Sequence, residues 1–359
     1  MQGIMTKENL IGLSLSDLEQ RVQDFGQPRY RARQIYRALY QRRAQDLQSI
    51  TELGLSFRVA LDSRFEICYP QVHEMLKADD GTIRYVLRLP GAESSVEAVY
   101  MPDEQRTTLC ISSQVGCAVD CCFCFTALMG LKRNLAVGEI LGQVLAIATD
   151  RGLLPAVRTN VVFMGMGEPL LNMREVLKAI AILSDPNALG MPLRRITLST
   201  VGIVPRIIEL GKEPLRPKLA VSLNASTDEQ RSAIMPINRK YPLRDLLEAC
   251  RQFPLAPREK LTFEYVLLDG LNDSEDDARR VANLIHGIKA KVNLIPYNAG
   301  SLLPYKPPLF ERVLEFQRIL AERHVPAFIR ISRGRDIQAA CGQLLIESTS
   351  RRSVKMGMA

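Results

Sequence analysis

Apolar positions in the first 65 or so residues recur at helical spacing. In SLSDLEQRVQDFG, Leu18, Val22 and Phe25 return every three or four residues, Ser16 and Glu19 stand at capping-box spacing, and Gly26 suits the stop. From about residue 74 the period shortens. Asp80 and Gly81 mark a turn, and in TIRYVLRL the residues Ile83, Tyr85, Leu87 and Leu89 alternate along one strand face. From about residue 107 short β-rich runs (TTLCIS, NVVFMG, RRITLST, KLAVSLN, KLTFEYVLL, KVNLIPY, AFIRIS) are separated by amphipathic helix patterns such as GEILGQVLAIA, MREVLKAIAIL, SEDDARRVANLIHGI and FERVLEFQRILAER. Strand and helix alternating in this way predict βα units around a parallel sheet, open or closed into a full or partial barrel. The rhythm divides the chain into a helical module over 1–73, a β extension or linker over 74–102, an α/β core over 103–336 and a short segment over 337–359.

In such sheets ligands sit at the carboxyl ends of the strands. That places GMGEP (165–169), Ser199, Ser222-Leu223-Asn224 and Asn298 on one rim, together with the loop after TTLCIS. The composition is that of a globular protein: 359 residues, 47% hydrophobic and 24% charged. MQGIMTKENL has no apolar run behind a basic head, and nowhere are there about 18 uninterrupted apolar residues. The expectation is a soluble, cytoplasmic protein without a membrane partner.

The formal net charge of +8 points to a polyanionic partner. PRYRARQIYRALYQRR (28–43) concentrates arginine on one predicted helix with Tyr30, Tyr36 and Tyr40 interleaved. Either this is a solvated face with its aromatics in the core, or it is an RNA-contacting arm.

Five of the eight cysteines fall in CISSQVGCAVDCCFCFT, residues 110–126. In a reducing compartment such crowding reads as metal ligands or catalytic thiols. Cys117, Cys121 and Cys124 stand at C-x3-C-x2-C, which can grip three corners of a [4Fe–4S] cluster and leave one iron open. The alternatives are packed core cysteines and a zinc knuckle, for which the loop lacks a fourth ligand. His73, His286 and His324 are too scattered to supply one. Cys122 falls outside the ligand register and is expected to point away, while Cys68 and Cys250 read as core residues.

With Phe123 before the third ligand, the loop resembles the signature of the radical S-adenosylmethionine (SAM) enzymes. The segments TLCISSQVGC, GLKRNL, FMGMGEPLLN, RRITLST, NLIPYN and DIQAACGQL together resemble the RlmN/Cfr family of RNA adenine methyltransferases over essentially the whole chain, and its RlmN branch above all. The resemblance implies a partial TIM-type (βα)6-like radical SAM barrel with a small N-terminal helical RNA-binding domain and a short β extension. It implies one [4Fe–4S] cluster, two SAM molecules per turnover, and methylation of adenine C2 in 23S rRNA and of the adenine 3′ to the anticodon in some tRNAs. A flavodoxin- or ferredoxin-type electron donor and a monomeric state go with it. A C8-methylating Cfr-type enzyme and a non-catalytic iron–sulfur RNA-binding protein are the competing readings.

The resemblance also implies residue roles. Cys341 in AACGQL matches the cysteine that accepts a methyl group from one SAM and carries it to the RNA. Cys110 matches the cysteine that attacks the sulfur of Cys341 to release the product, leaving a disulfide for thiol exchange. Glu97 matches the proton acceptor. Gly167 and Glu168, Ser199, Ser222, Leu223, Asn224 and Asn298 match SAM contacts. Some members have histidine where Asn224 stands, and many have a smaller residue at Phe125.

Overall fold

The structure, a computed structural model, describes residues 7–153, 158–300 and 302–346. Residues 1–6 of the predicted N-terminal module and 347–359 of the predicted C-terminal segment lie outside them.

Ten strands make one sheet: β1 (Gln71–Lys77), β2 (Ile83–Arg88), β3 (Ser95–Met101), β4 (Thr107–Cys110), β5 (Thr159–Phe163), β6 (Ile196–Thr200), β7 (Lys218–Ser222), β8 (Leu261–Leu267), β9 (Ala290–Pro296) and β10 (Ala327–Ile329). Their order across the sheet is their order in the chain. The first four pair antiparallel. From β4 to β10 every pairing is parallel. The strands of 74–102 therefore extend the edge of the same sheet that carries the core.

All seven β-rich runs are strands. Parallel strands covered on both faces lose simple alternation, and β8, LTFEYVL, is buried along almost its whole length. Its two faces still differ. Leu261, Phe263, Tyr265 and Leu267 are fully buried under helices, with Tyr265 against Phe316 at 5.2 Å between ring centres. Glu264 and Val266 point the other way, into a cavity. The sheet is thus a partial barrel with helices on its outer face and polar side chains inside.

The crossover helices are α4 (Val137–Asp150), α5 (Met173–Ser184), α6 (Val204–Lys212), the pair α7 (Asp228–Ile234) and α8 (Leu243–Gln252), α9 (Glu275–Leu284) and α10 (Phe310–Glu322). Their starts are fixed locally: Glu139 accepts from the Ala136 N–H at 2.9 Å, and Ser274 with Asp277 forms a reciprocal cap.

The N-terminal module holds α1 (Leu15–Gln23), α2 (Tyr30–Tyr40) and α3 (Leu55–Asp62). The cap of α1 is Ser14 with Asp17, two residues before the predicted Ser16 and Glu19. SLSDLE offers that spacing twice, and the earlier pair is the one that closes. In α2, Tyr36 and Tyr40 are buried and meet edge to face, so those aromatics belong to the core, whereas Tyr30 is exposed. Arginines of the stretch 28–43 have intramolecular partners: Arg37 donates to Asn187, and Arg43, just past α2, to the Leu153 carbonyl. Together with Tyr36, which donates to Asp185 at 3.1 Å, they tie the module to the outside of the barrel. Among the described residues no helix is long and apolar enough to cross a membrane.

Candidate functional site

β4 ends at Cys110, and the chain then crosses the carboxyl end of the barrel. Ser112 fixes that crossing: Gln143 of α4 accepts its N–H at 2.8 Å and donates to its carbonyl at 2.9 Å. The Ser112 hydroxyl donates to the Glu97 carbonyl and accepts from the Met166 N–H. Gln114–Val115 then pairs with Arg133–Asn134 and closes the cysteine loop at its base.

Cys117, Cys121 and Cys124 all line one cavity at the carboxyl ends of the strands. The Val119 N–H lies 3.4 Å from Cys117 Sγ. Cys122 points elsewhere, its thiol donating to the Ala233 carbonyl at 3.4 Å, as the ligand register predicts. Burial pushes Cys117 up to about 12 and raises Cys121 and Cys124, and Cys117 and Cys121 also feel the charge of neighbouring thiols. Such thiols ionise only with a cation among them. Among the described residues no three His, Cys, Asp or Glu side chains gather closely enough for a single metal ion. Three thiols lining one cavity fit a metal cluster. Asn298 fits a further polar ligand there: it lines the cavity and its buried Oδ1 has no partner.

The residues matched to SAM contacts meet at the same cavity, except one. Gly167 (φ +97°) passes so close to Gln114 that a Cβ would lie 2.5 Å from the Gln114 Cβ, so only glycine fits. Glu168 is buried, and its two oxygens accept from the N–H groups of Leu170 (3.0 Å) and Val201 (2.8 Å). It braces the strand ends and has lone pairs left for an ammonium group. Burial pushes it up to about 7 against those hydrogen bonds. Ser199 and Ser222 line the cavity from the ends of β6 and β7. Leu223 does not: its side chain is in the core, and its N–H donates to the Glu264 carbonyl. Asn224 lines the cavity in a left-handed conformation (φ +55°), which asparagine tolerates better than most residues. Its Oδ1 accepts from the Val266 N–H at 2.8 Å and its Nδ2 faces Met235 Sδ. This asparagine fixes a turn. Phe125 is buried, its N–H donating to the Gly342 carbonyl, and its ring lies where a Cβ on Gly300 would be 2.3 Å away.

The segment 338–345 returns across the barrel. Thr126 donates to the Leu344 carbonyl, and Gln343 donates to the carbonyls of Ala299 (3.0 Å) and Asn298 (3.4 Å). Cys341 thereby lines the cavity, exposed to it. Crowding by protein atoms pushes its thiol up to about 11, and the charges of Glu264 and Cys124 push the same way. Cys110 lies behind it, its thiol raised by burial and then by Cys341. Both are free thiols, so the disulfide that the resemblance implies is not present. Glu97 shares its sheet face with Cys110, since Val99 pairs with Cys110. It is buried behind the returning segment rather than lining the cavity. Burial pushes it up to about 7, opposed by Arg84 at 3.6 Å and by the Leu345 N–H, and its Oε2 has no partner.

Two buried charges at this site escaped the sequence reading. Arg231 of α7 is fully buried and donates to the carbonyls of Leu223, Val201 and Ser222 and to Asn238, pinning the ends of β6 and β7. Nothing local in RSAIMPINR marks it. Glu264 lines the cavity and accepts from Asn293 Nδ2 at 2.9 Å. A lone carboxylate inside the apolar run LTFEYVL was a legible signal.

A family model described as the ribosomal RNA large subunit methyltransferase N-terminal domain matches residues 8–67, and one described as the radical SAM superfamily matches residues 111–282. A probable dual-specificity RNA methyltransferase RlmN from Koribacter versatilis is 49% identical over 89% of this chain and 96% of its own length. A dual-specificity RNA methyltransferase RlmN from Syntrophobacter fumaroxidans is 46% identical over 93% of this chain and 97% of its own. The crystal structure of a radical SAM methyltransferase from Sphaerobacter thermophilus superposes with a TM-score of 0.90 at 43% identity, covering 95% of this chain and 100% of that one.

Proposed function

From the premise that the chain belongs to the RlmN family of radical SAM RNA methyltransferases, we propose that it methylates adenine at C2 in 23S rRNA and in tRNA through a methyl group carried on Cys341. The observation that carries this reading is the position of Cys341. A residue more than 200 positions from the cysteine loop lines the same cavity as Cys117, Cys121 and Cys124, with Cys110 behind it.

Cys117, Cys121 and Cys124 would hold the [4Fe–4S] cluster. Gly167, Glu168, Ser199, Ser222, Asn224 and Asn298 would hold SAM, and Leu223, whose N–H donates to Glu264 and whose carbonyl accepts from Ala225 and Arg231, fixes the turn between Ser222 and Asn224. With SAM bound, the cluster supplies one-electron cleavage and a hydrogen-abstracting adenosyl radical. In the first half-reaction the Cys341 thiol takes the methyl group of one SAM and gives up its proton. In the second, the carbon on Cys341, having given one hydrogen to the adenosyl radical, bonds to adenine C2, and the odd electron left on the adduct would pass back to the cluster. A base must then remove the C2 proton, and Glu97, held near 7, has the affinity for that work at neutral pH. It reaches substrate only once Leu345 releases it. The Cys110 thiolate then attacks the sulfur of Cys341, the sulfur–carbon bond breaks with its electron pair going to the methylene, which takes a proton from solvent to become the methyl group, and a disulfide forms that external thiols reduce.

The enzyme works as a cytoplasmic monomer supplied by a flavodoxin- or ferredoxin-type donor. Reconstituted holoenzyme given a 23S rRNA fragment and isotopically labelled SAM should place the label on adenine C2, read by mass spectrometry of the nucleosides. A label on C8 would make it a Cfr-type enzyme, and no label together with no 5′-deoxyadenosine would remove the radical reading.

A further inference from the structure

At the opposite end of the barrel from the cysteine loop, the inner face of the sheet is open and basic. Lys218 begins β7, Lys291 is the second residue of β9 and Arg106 precedes β4, while Arg330, just past β10, turns its side chain back to Asn293 and Phe328. The curl of the sheet brings these four into one field. Arg330, Lys218 and Arg106 all act on half-buried Lys291 and, with burial, lower its proton affinity, while Glu264 offsets part of that. Among the described residues, Arg106, Lys218 and Lys291 have no ion-pair partner. Four cations gathered against the single carboxylate of Glu264 repel one another unless a further anion joins them.

An aromatic surface stands among them. Phe328 of β10 pairs with Asn293, so its ring is on the inner face, and it is 47% exposed. Lys291 Nζ lies 5.9 Å and the Arg330 guanidinium 5.8 Å from its ring centre. A chain of hydrogen bonds leads from this floor to the cavity: Arg330 Nε donates to Asn293 Oδ1 (2.9 Å), and Asn293 Nδ2 donates to Glu264 Oε1 (2.9 Å) on the cavity wall. The carboxyl end, by contrast, is roofed by the cysteine loop and the segment 338–345. An open end with an exposed ring between cations is the chemistry that takes single-stranded nucleic acid: a base stacks on the ring and the phosphates lie on the cations.

We propose that the RNA strand enters the barrel through this amino-terminal end, with a nucleotide next to the target adenine stacked on Phe328 and its phosphates held by Arg106, Lys218, Lys291 and Arg330. This rests on the RNA-methylation reading. The adenine itself continues inward along the Asn293–Glu264 wall toward Cys341, so the reactive cavity never opens toward its roof to admit substrate.

The test uses reconstituted full-length enzyme and a labelled RNA hairpin whose loop carries one adenine. Phe328→Leu keeps bulk but loses the ring and should weaken RNA binding about tenfold to a hundredfold, with Phe328→Tyr restoring it. Lys218→Gln and Arg106→Gln, both exposed and unbonded, should each lower the slope of log affinity against log salt by about 0.7 and raise KM for RNA more than they lower kcat. If wild-type enzyme methylates RNA while these variants keep its affinity and salt slope, the entry site is overturned. If wild-type enzyme neither binds nor methylates RNA, the methyltransferase reading and the entry site fall together.

Discussion

The two faces of the ten-stranded sheet are built from the same strands to opposite rules. Along β8, Phe263 and Tyr265 are sealed under helices, while Glu264 between them faces the cavity. The outer face is apolar and interchangeable in its chemistry. The inner face holds buried carboxylates, thiols and amides whose partners come from distant strands. Stability should therefore concentrate on one face and chemistry on the other, and substitutions can separate the two.

The largest effect is expected at Cys341. Cys341→Ala should abolish methyl transfer, measured as labelled nucleoside, and leave the unfolding midpoint within a degree or two, because the thiol only lines a cavity. Cys110→Ala should also stop turnover, but with the protein trapped on RNA as an adduct seen on denaturing gels. Recovery of free Cys110→Ala protein after turnover conditions would remove its resolving role.

On the outer face, Leu198→Ala should cost about 2–5 kcal/mol of stability in denaturant unfolding, with the surviving folded fraction keeping its kcat. A comparable loss of kcat would break the division between faces.

Glu97 joins the two properties. Its proton affinity is raised from 4.5 to about 7, so the unprotonated, base-competent form grows as pH rises through about 7, and adduct resolution should accelerate over that range. The sign for stability is opposite. The folded protein holds this proton where the unfolded chain has lost it, so stability falls as pH rises from about 4.5 to about 7. Glu97→Gln should remove the resolution limb and accumulate adduct, while only reducing the stability slope, because buried Glu168, also raised to about 7, carries a slope of the same sign. A resolution limb near pH 7 that survives Glu97→Gln would assign the proton transfer to another group.

The smallest effect belongs to Cys122→Ser. Its thiol faces Ala233 rather than the cavity, so stability should change by about 0.5 kcal/mol or less and cluster absorbance not at all. Loss of cluster on this substitution would contradict the ligand register.

What the sequence displayed follows the same division. All seven parallel strands were legible because a sheet covered by helices demands apolar runs of that length. That Cys117, Cys121 and Cys124 face one cavity was legible because their C-x3-C-x2-C spacing keeps them close in the chain. Arg231 was not, since three of its four acceptors are carbonyls at the ends of β6 and β7, the fourth is Asn238 in the turn after α7, and a buried guanidinium leaves no periodic trace. Leu223 was expected at the site beside Ser222 and Asn224, yet a strand end turns alternate side chains to opposite faces and sends it into the core. The proximity of Cys341 to Cys110 came only through family resemblance, because no local rule joins positions so far apart.

The strand order has a consequence in time. Each strand from β1 to β10 pairs with the one made just before it, so during synthesis from the amino terminus no strand waits for a partner not yet translated. The segment bearing Cys341 comes last. An unfinished chain can therefore already present Cys117, Cys121 and Cys124 while Cys341 is still to be made.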